Sequence, residues 1–355
     1  MSETEIARLR EEIASVDREI VGLIARRLYL AEQIGLEKRL SGQPVRATEV
    51  EAQVAARIEA EGTTRGVGSE FARSLSHLLI EESVRRQETL VPSEKERGTA
   101  LVVGGAGRMG RWLCRYLQTQ GYRVTVHDSS GPQVDLPRAA ATADVVAVAV
   151  PMDAAASVLE SIGAAKPAGL VFDVASLKTP VARVLRSLTR EGRAVASVHP
   201  LFGPHFGPLS QATILLSDCG SPAGMERARR LFRGSGAHLV DVPLEDHDEI
   251  MGTLLGLSHL TLLSFARAAA HAPIDVGVVP TEGTTFARVA SVARGLLDDS
   301  PALLREIQAL NPHTPDVRRR LLQAIEEWTR AAADSDGKAF VTLLDESRDL
   351  GGASR

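Results

Sequence analysis

Residues 99–128, TALVVGGAGRMGRWLCRYLQTQGYRVTVHD, constrain this chain more than any other stretch. An apolar run, Ala100–Val103, enters Gly105-Ala-Gly107-Arg-Met-Gly110, and a helical pattern follows from Arg108 to about Gln120. A second apolar run, Tyr122–Val126, ends at Asp128. Strand, glycines, helix, strand and acid in that order predict a dinucleotide-binding βαβ unit. The expectation is that Gly105 permits the tight turn, Gly107 lets backbone approach a pyrophosphate, and Gly110 lets helix pack closely on strand. Arg108 and Met109 open the helix, whose first N–H groups face the phosphates. Asp128 is placed to accept hydrogen bonds from a ribose 2′-hydroxyl, and its charge repels a 2′-phosphate. The expected cofactor is therefore NAD.

More buried-strand runs follow at Val145–Val150, Leu170–Val174 and Ala194–Val198. Each is short, apolar and bounded by polar, Gly or Pro residues, as in a parallel sheet covered on both faces. Ser176 and His199 fall at the ends of two of these strands, where open α/β sheets bind ligands. From about Pro243 the pattern turns helical, with segments at His247–Ala270, Phe286–Leu297, Ala302–Leu310, Val317–Ala333 and Gly337–Arg348.

Ahead of the nucleotide fold, about Glu3–Leu40 reads as one long helix, roughly 55–60 Å at 1.5 Å per residue. Ile6, Leu9, Ile13, Val16, Ile20 and Leu23 step by threes and fours, a coiled-coil-like seam that Leu30 and Ile34 resume after Arg27. Such a helix cannot fold back over its own stripe, so other helices must cover it, and a second copy of the chain is expected to supply them. Shorter helices follow at about Thr48–Glu61 and Glu70–Leu90. Arg27 interrupts the seam, and Lys38 lies about three turns on, on nearly the same face. Two cations on a buried face call for an anionic guest, because a buried charge is costly unless paired. The competing reading has Arg27 snorkelling to the surface and Lys38 beyond the end of the seam.

At 355 residues the chain holds two or three domains. The expected division is a helical domain at 1–92, a Rossmann-type domain at 99–242 and a helical domain at 243–355. The charged linker Val91–Gly98 separates the first two. The net charge of −4 gives no global pull toward nucleic acid or an anionic membrane. MSETEIARLREE has no apolar core, so no signal peptide is expected, and no apolar run reads as long enough to span a bilayer. Cys114 and Cys219 show no metal-ligand spacing and read as buried thiols of a reducing cytoplasm. No metal site is expected.

RLREEIASVDREIVGLIARRLYLAEQIGLEKRLSGQPVR resembles the long first helix of the all-helical chorismate mutase domain. With the two shorter helices the resemblance spans about residues 5–90. It implies that Arg10, reaching a partner subunit's site, and Arg27 clamp the two substrate carboxylates. Lys38 and Gln87 would hydrogen-bond the ether oxygen, Glu51 would contact the ring substituent at C4, and Ser83 would assist at a carboxylate. Ala47 and Val50 stand where that family usually has Asp and Arg. The departure fits either a weakened mutase or tolerance of a cationic 4-amino group.

SVHPLFGP, with DVASLK upstream and EDHDEIMGTLLGLSHL downstream, resembles the prephenate dehydrogenase family. The order of the two parts is similar to the bifunctional chorismate mutase–prephenate dehydrogenases. The resemblance implies that His199 draws the proton from the C4 hydroxyl as hydride leaves for the nicotinamide. A neutral imidazole suits that role. Ser176 would bond the same hydroxyl and orient His199. His259 would line the substrate pocket, with His247 as packing. Arg294, or Arg288 as fallback, would bind a carboxylate.

The implied function is conversion of chorismate to prephenate, then NAD-dependent oxidative decarboxylation to 4-hydroxyphenylpyruvate by a cytoplasmic homodimer. Two alternatives stand beside it. One keeps both reactions on 4-amino-4-deoxy substrates, giving 4-aminophenylpyruvate. The other makes the N-terminal helices a non-catalytic dimerisation module on a monofunctional dehydrogenase.

Overall fold

The computed structural model describes residues 3–40, 43, 46–89, 97–131, 134–203, 209, 212–233, 235–273, 281 and 283–348. Most of the expected linker, and Pro204 of the HPLFGP run, lie outside them. Two compact units are formed: Met1–Ala175 with Val181–Pro243, and Ser176–Pro180 with Leu244–Arg355.

The first unit begins with three helices, α1 (Glu3–Leu40), α2 (Thr48–Thr64) and α3 (Ser69–Thr89). Both α1 and α2 pack on α3. The single seam expected on α1 resolves into two faces. Leu28 and Ala31 are buried, whereas Ile13, Val16, Ile20, Leu23, Leu30 and Ile34 stay exposed. The helix carries apolar residues on more than one stripe, and one partner helix covers only one of them. Gly62 of α2 lies where an added Cβ would sit 2.9 Å from Ala72, so α2 and α3 approach closely there.

A seven-stranded sheet follows, in the order β2-β1-β3-β4-β5-β6-β7. Its strands are β1 (Gly98–Val103), β2 (Tyr122–His127), β3 (Val145–Val148), β4 (Leu170–Asp173), β5 (Ala194–Pro200), β6 (Thr213–Ser217) and β7 (His238–Asp241). All neighbours are parallel except β5 and β6, which pair antiparallel with His199 opposite Leu215. The three central runs expected from the sequence are present, and β6 and β7 are additions to it. Helices α4 (Arg108–Thr119), α5 (Leu136–Thr142), α6 (Met152–Ala164), α7 (Thr179–Arg190) and α8 (Pro222–Arg233) connect the strands. The core is aliphatic along the strands, through Val102, Ala147 and Val198, and aromatic where α4 meets α8. Tyr116 stacks on Phe232 at 5.3 Å, Phe232 meets Phe172 edge-on at 5.8 Å, and the Tyr116 hydroxyl donates to the Leu231 carbonyl at 2.8 Å.

The second unit is helical: α9 (His247–Met251), a π-helical turn (Gly252–Leu257), α10 (Ser258–Ala270), α11 (Thr285–Leu297), α12 (Pro301–Leu310), α13 (Thr314–Ala333) and α14 (Lys338–Glu346). The expected continuous helix over 247–270 is thus split by a wider i→i+5 turn, a feature that often marks functional positions. Gly252 and Gly256 let α13 approach it; an added Cβ at Gly252 would lie 3.3 Å from the His313 Cβ. Gln308 Nε2 donates to the Gly256 carbonyl at 3.0 Å. Contrary to the sequence expectation, the composite helix His247–Ala270 is long and apolar enough to cross a membrane by length and composition, with mean hydropathy 1.3 in its most apolar window.

Candidate active sites

The glycine loop is shaped by close backbone approach. The tight turn falls on Gly104, at φ +83°, rather than on Gly105, and a Cβ there would come within 2.4 Å of the Ala149 carbonyl. Gly105 instead lies against Val126 of β2. Gly110 packs α4 onto the loop so tightly that a Cβ would meet the Gly104 carbonyl oxygen at 2.0 Å. Gly107 caps α4 with no side chain, so backbone amides open the helix without a side-chain cap. Asp128 follows β2. One carboxylate oxygen accepts the Ala106 amide at 3.0 Å, and the other accepts the Ser130 amide and hydroxyl at 3.1 and 2.9 Å. Those bonds, the Ser130 amide foremost, hold its carboxyl below the usual range. Cradle, uncapped helix start and a half-buried carboxylate fit a dinucleotide with an unmodified ribose.

His199 is buried near the end of β5. Asp173, wholly buried at the end of β4, accepts the Ser197 hydroxyl at 2.6 Å and the Ala175 amide at 2.9 Å. It fixes both strand ends, and the sequence reading missed it, although an Asp closing an apolar strand is a visible signal. Ser176 belongs to the second unit.

Within that unit, His247 is not packing alone: its Nδ1 lies 2.8 Å from a carboxylate oxygen of Asp248, and both residues are buried. His259 follows the π turn on α10. Its Nδ1 is buried with no hydrogen-bond partner among the described residues, as expected of a group awaiting a ligand. Burial pushes its pKa down, so the ring is neutral near pH 7, while Asp299 pulls weakly the other way. Arg288 and Arg294 both lie exposed on α11. Nothing in the helix distinguishes one from the other.

In the helical module, Arg27 is half-buried. Its Nη1 donates to the Leu79 carbonyl at 2.8 Å and to the Ser83 hydroxyl at 2.6 Å, so Arg27 and Ser83 are brought together as expected. Burial and the nearby Arg57 lower its pKa, though a guanidinium stays charged. A cation held by neutral oxygens beside a second cation leaves room for an anion. This disfavours the snorkelling alternative. Gln87 is buried on α3, Lys38 is half-buried at the end of α1, and Arg10 is exposed. Glu51 is paired with Arg46, whose Nε lies 3.1 Å from its carboxylate. Arg46 and Arg57 were missed because neither sits on an apolar pattern that would mark it as facing inward.

Cys114 is half-buried and Cys219 buried, both as free thiols. Among the described residues no cluster of three or more His, Cys, Asp or Glu could hold a metal.

Fold and site together define a two-module class: three helices that seat a half-buried arginine, followed in the chain by a Rossmann-type dinucleotide-binding fold. Residues 9–88 match the family model described as chorismate mutase type II, and residues 117–219 match prephenate dehydrogenase, nucleotide-binding domain. The chain is 25% identical over 345 residues to the T-protein of Enterobacter agglomerans, covering 95% of this chain and 90% of that protein. It is 28% identical over 273 residues to a 4-amino-4-deoxyprephenate dehydrogenase of Streptomyces pristinaespiralis, covering 71% and 90%. A probable arogenate/prephenate dehydrogenase of Methanocaldococcus jannaschii is 25% identical over 271 residues; the match takes in 70% of this chain and 60% of that protein's length. In fold, the chain is similar to prephenate dehydrogenase from A. aeolicus solved with hydroxyphenyl propionate and NAD+, with a TM-score of 0.55, 15% identity, and 72% and 99% coverage. The chain belongs to the bifunctional chorismate mutase–prephenate dehydrogenases.

Proposed function

We propose that the protein converts chorismate to prephenate in its helical module and oxidatively decarboxylates prephenate to 4-hydroxyphenylpyruvate, with NAD, in the remainder. The observation that carries the reading is one chain holding both a half-buried Arg27 seated on Ser83 and the glycine cradle closed by Asp128.

The mutase step is an intramolecular rearrangement and needs no acid or base. Arg27 and Ser83 bind one carboxylate, and Arg10 of a second copy binds the other. Lys38 and Gln87 stabilise the charge that develops on the ether oxygen as the C–O bond breaks. Glu51, neutralised by Arg46, meets the C4 substituent.

In the second reaction NAD, bound at Gly105, Gly107, Arg108, Met109, Gly110 and Asp128, supplies the hydride acceptor. His199 takes the proton of the C4 hydroxyl, and Ser176 hydrogen-bonds that same oxygen. His259 lines the pocket as a neutral donor or acceptor. Arg294, with Arg288 as alternative, holds a carboxylate. Loss of CO2 and aromatisation make the step irreversible.

We place the enzyme in the cytoplasm as a homodimer. The exposed stripe from Ile13 to Ile34 on α1 supports this, as do Leu322, Ile325 and Leu344 in the second unit. The domain limits 1–92, 99–242 and 243–355 belong to the same proposal.

A second reading, 4-amino-4-deoxy substrates, draws support from Ala47, from the exposed Val50 and from the Streptomyces relative. Steady-state NAD reduction with prephenate and 4-amino-4-deoxyprephenate side by side decides between the two. A higher kcat/KM for prephenate is expected. A tenfold preference for the amino compound, about 1.4 kcal/mol of transition-state discrimination, overturns the assignment of substrate.

A further inference from the structure

The five residues Ser176–Pro180 follow β4 and run into the first two residues of α7, yet they group with the C-terminal helices. One carboxylate bonds two of their amides there. Asp248 Oδ1 accepts the Lys178 amide at 2.7 Å, and Oδ2 accepts the Thr179 amide at 2.7 Å. Oδ1 also lies 2.8 Å from His247 Nδ1. The Asp248 main-chain carbonyl accepts from Asn311 Nδ2 at 2.8 Å, and Asn311 Oδ1 in turn accepts the His313 amide at 2.9 Å. A chain of bonds thus runs from the start of α13 through Asn311 and Asp248 to the segment that begins with Ser176.

The local sequence explains why the carboxylate is needed. Helix α7 starts at Thr179. Lys178, just before it, has no side-chain oxygen to cap the first turn, and Pro180 has no amide to be capped. The amides of Lys178 and Thr179 are therefore the donors that need an acceptor, and a negative charge suits the positive end of the helix dipole. The capping group comes from Asp248, 70 residues after Lys178. Burial alone would push the Asp248 carboxyl up. His247 and the two amides more than offset this and hold it well below the usual carboxylate range. It remains an anion, and a buried anion bonded on both oxygens fixes its partners rigidly.

We propose that Asp248 is a positioning residue of the dehydrogenase, which sets the place of the Ser176 hydroxyl by fixing the amides of Lys178 and Thr179. The proposal rests on the reading that Ser176 hydrogen-bonds the substrate. Asp248 touches neither substrate nor cofactor; it acts through the segment it holds. An Asn in its place keeps the shape but turns an N–H group toward a donor on one side, which loosens the segment. A displacement of about 1 Å at a reacting centre costs on the order of 100-fold.

The test uses the full-length chain with Asp248→Asn, Ser176→Ala and the double variant. Each is assayed for dehydrogenase kcat and KM, for NAD affinity, and for mutase activity as a measure of intact folding. Asp248→Asn should lower dehydrogenase kcat about 100-fold, with prephenate KM, NAD Kd and mutase activity changed less than about threefold. In the Ser176→Ala background the same change should cost less than about threefold, because groups that act as a unit are non-additive.

Independent, multiplying losses would overturn the proposal while leaving Ser176 in its role. A Ser176→Ala enzyme with normal turnover would instead overturn the role of Ser176 and the proposal with it. If Asp248→Asn fails to fold, Asn311→Ala removes the bond behind Asp248 and should lower kcat about tenfold with the same non-additivity. Unchanged kcat in that variant counts against the proposal.

Discussion

The two sites of this chain are built on opposite plans. The nucleotide site is made mostly of backbone: amides at the start of α4 with no side-chain cap, and glycines such as Gly104 and Gly110 whose added Cβ atoms would collide with main chain. Its central strands, β3 and β4, are buried along their whole length. The site proposed for the helical module is made of side chains, Arg27 on α1 seated on Ser83 of α3, with Gln87, Lys38 and Glu51 proposed beside them. Alongside it an apolar stripe stays exposed and Arg10 points out to solvent. The contrast teaches that a backbone site tolerates isolation, whereas a side-chain site on a single long helix depends on what covers that helix.

The strongest way to break this comparison is to remove one chemistry and watch the other. His199→Asn should cut dehydrogenase kcat by about 1,000-fold, within the range for loss of a general base. NAD affinity and mutase activity should hold. Weakened NAD binding with intact turnover would contradict the role given to His199.

In the other module, Lys38→Ala should lower mutase kcat about 100-fold, as for loss of a preorganised donor to developing charge. Prephenate oxidation should stay at its wild-type rate. Equal loss of both activities would show that the two sites are not separable.

A smaller effect tests the exposed stripe. Leu23→Glu places a charge in the centre of that stripe and should lower mutase activity about tenfold or more at low protein concentration, with partial recovery as concentration rises. Sedimentation should show a weakened dimer. Unchanged association would mean that another surface brings the copies together.

The smallest effect concerns His259. Its pKa is lowered in the fold, so below about 6.5 the unfolded chain binds its proton more readily. The contribution is therefore destabilising at low pH, and stability rises as pH climbs from the lowered value through about 6.5. His259→Gln should flatten the dependence of Tm on pH between about 5 and 7 relative to wild type. A variant with the same pH dependence would mean that His259 is not held neutral by burial.

Much of the nucleotide fold is legible in the sequence, because its signal is local. A strand, a glycine run and a helix follow one another within residues 99–128. Even there the reading gave the turn to Gly105 where the backbone gives it to Gly104, since two adjacent glycines look alike until φ is known. The π turn at Gly252–Leu257 is hidden because its residues suit an α-helix equally well. Strand β6 pairs antiparallel with β5, a departure from the parallel order that the apolar runs alone suggest. The pairing of Arg46 with Glu51 and the capping of α7 by Asp248 were not legible. The first depends on how the chain enters α2, and the second on residues far apart in sequence. The face of α1 that meets α3 was masked by a second apolar stripe of similar strength.

The most direct test of the account is to give the purified protein chorismate and NAD with no other enzyme, beside Lys38→Ala protein given chorismate or prephenate. The account predicts NADH and 4-hydroxyphenylpyruvate from chorismate with the wild type. It predicts slow formation from chorismate and normal formation from prephenate with Lys38→Ala. NADH from prephenate alone, with chorismate consumed no faster than in buffer, would contradict it and leave the N-terminal helices as an association module.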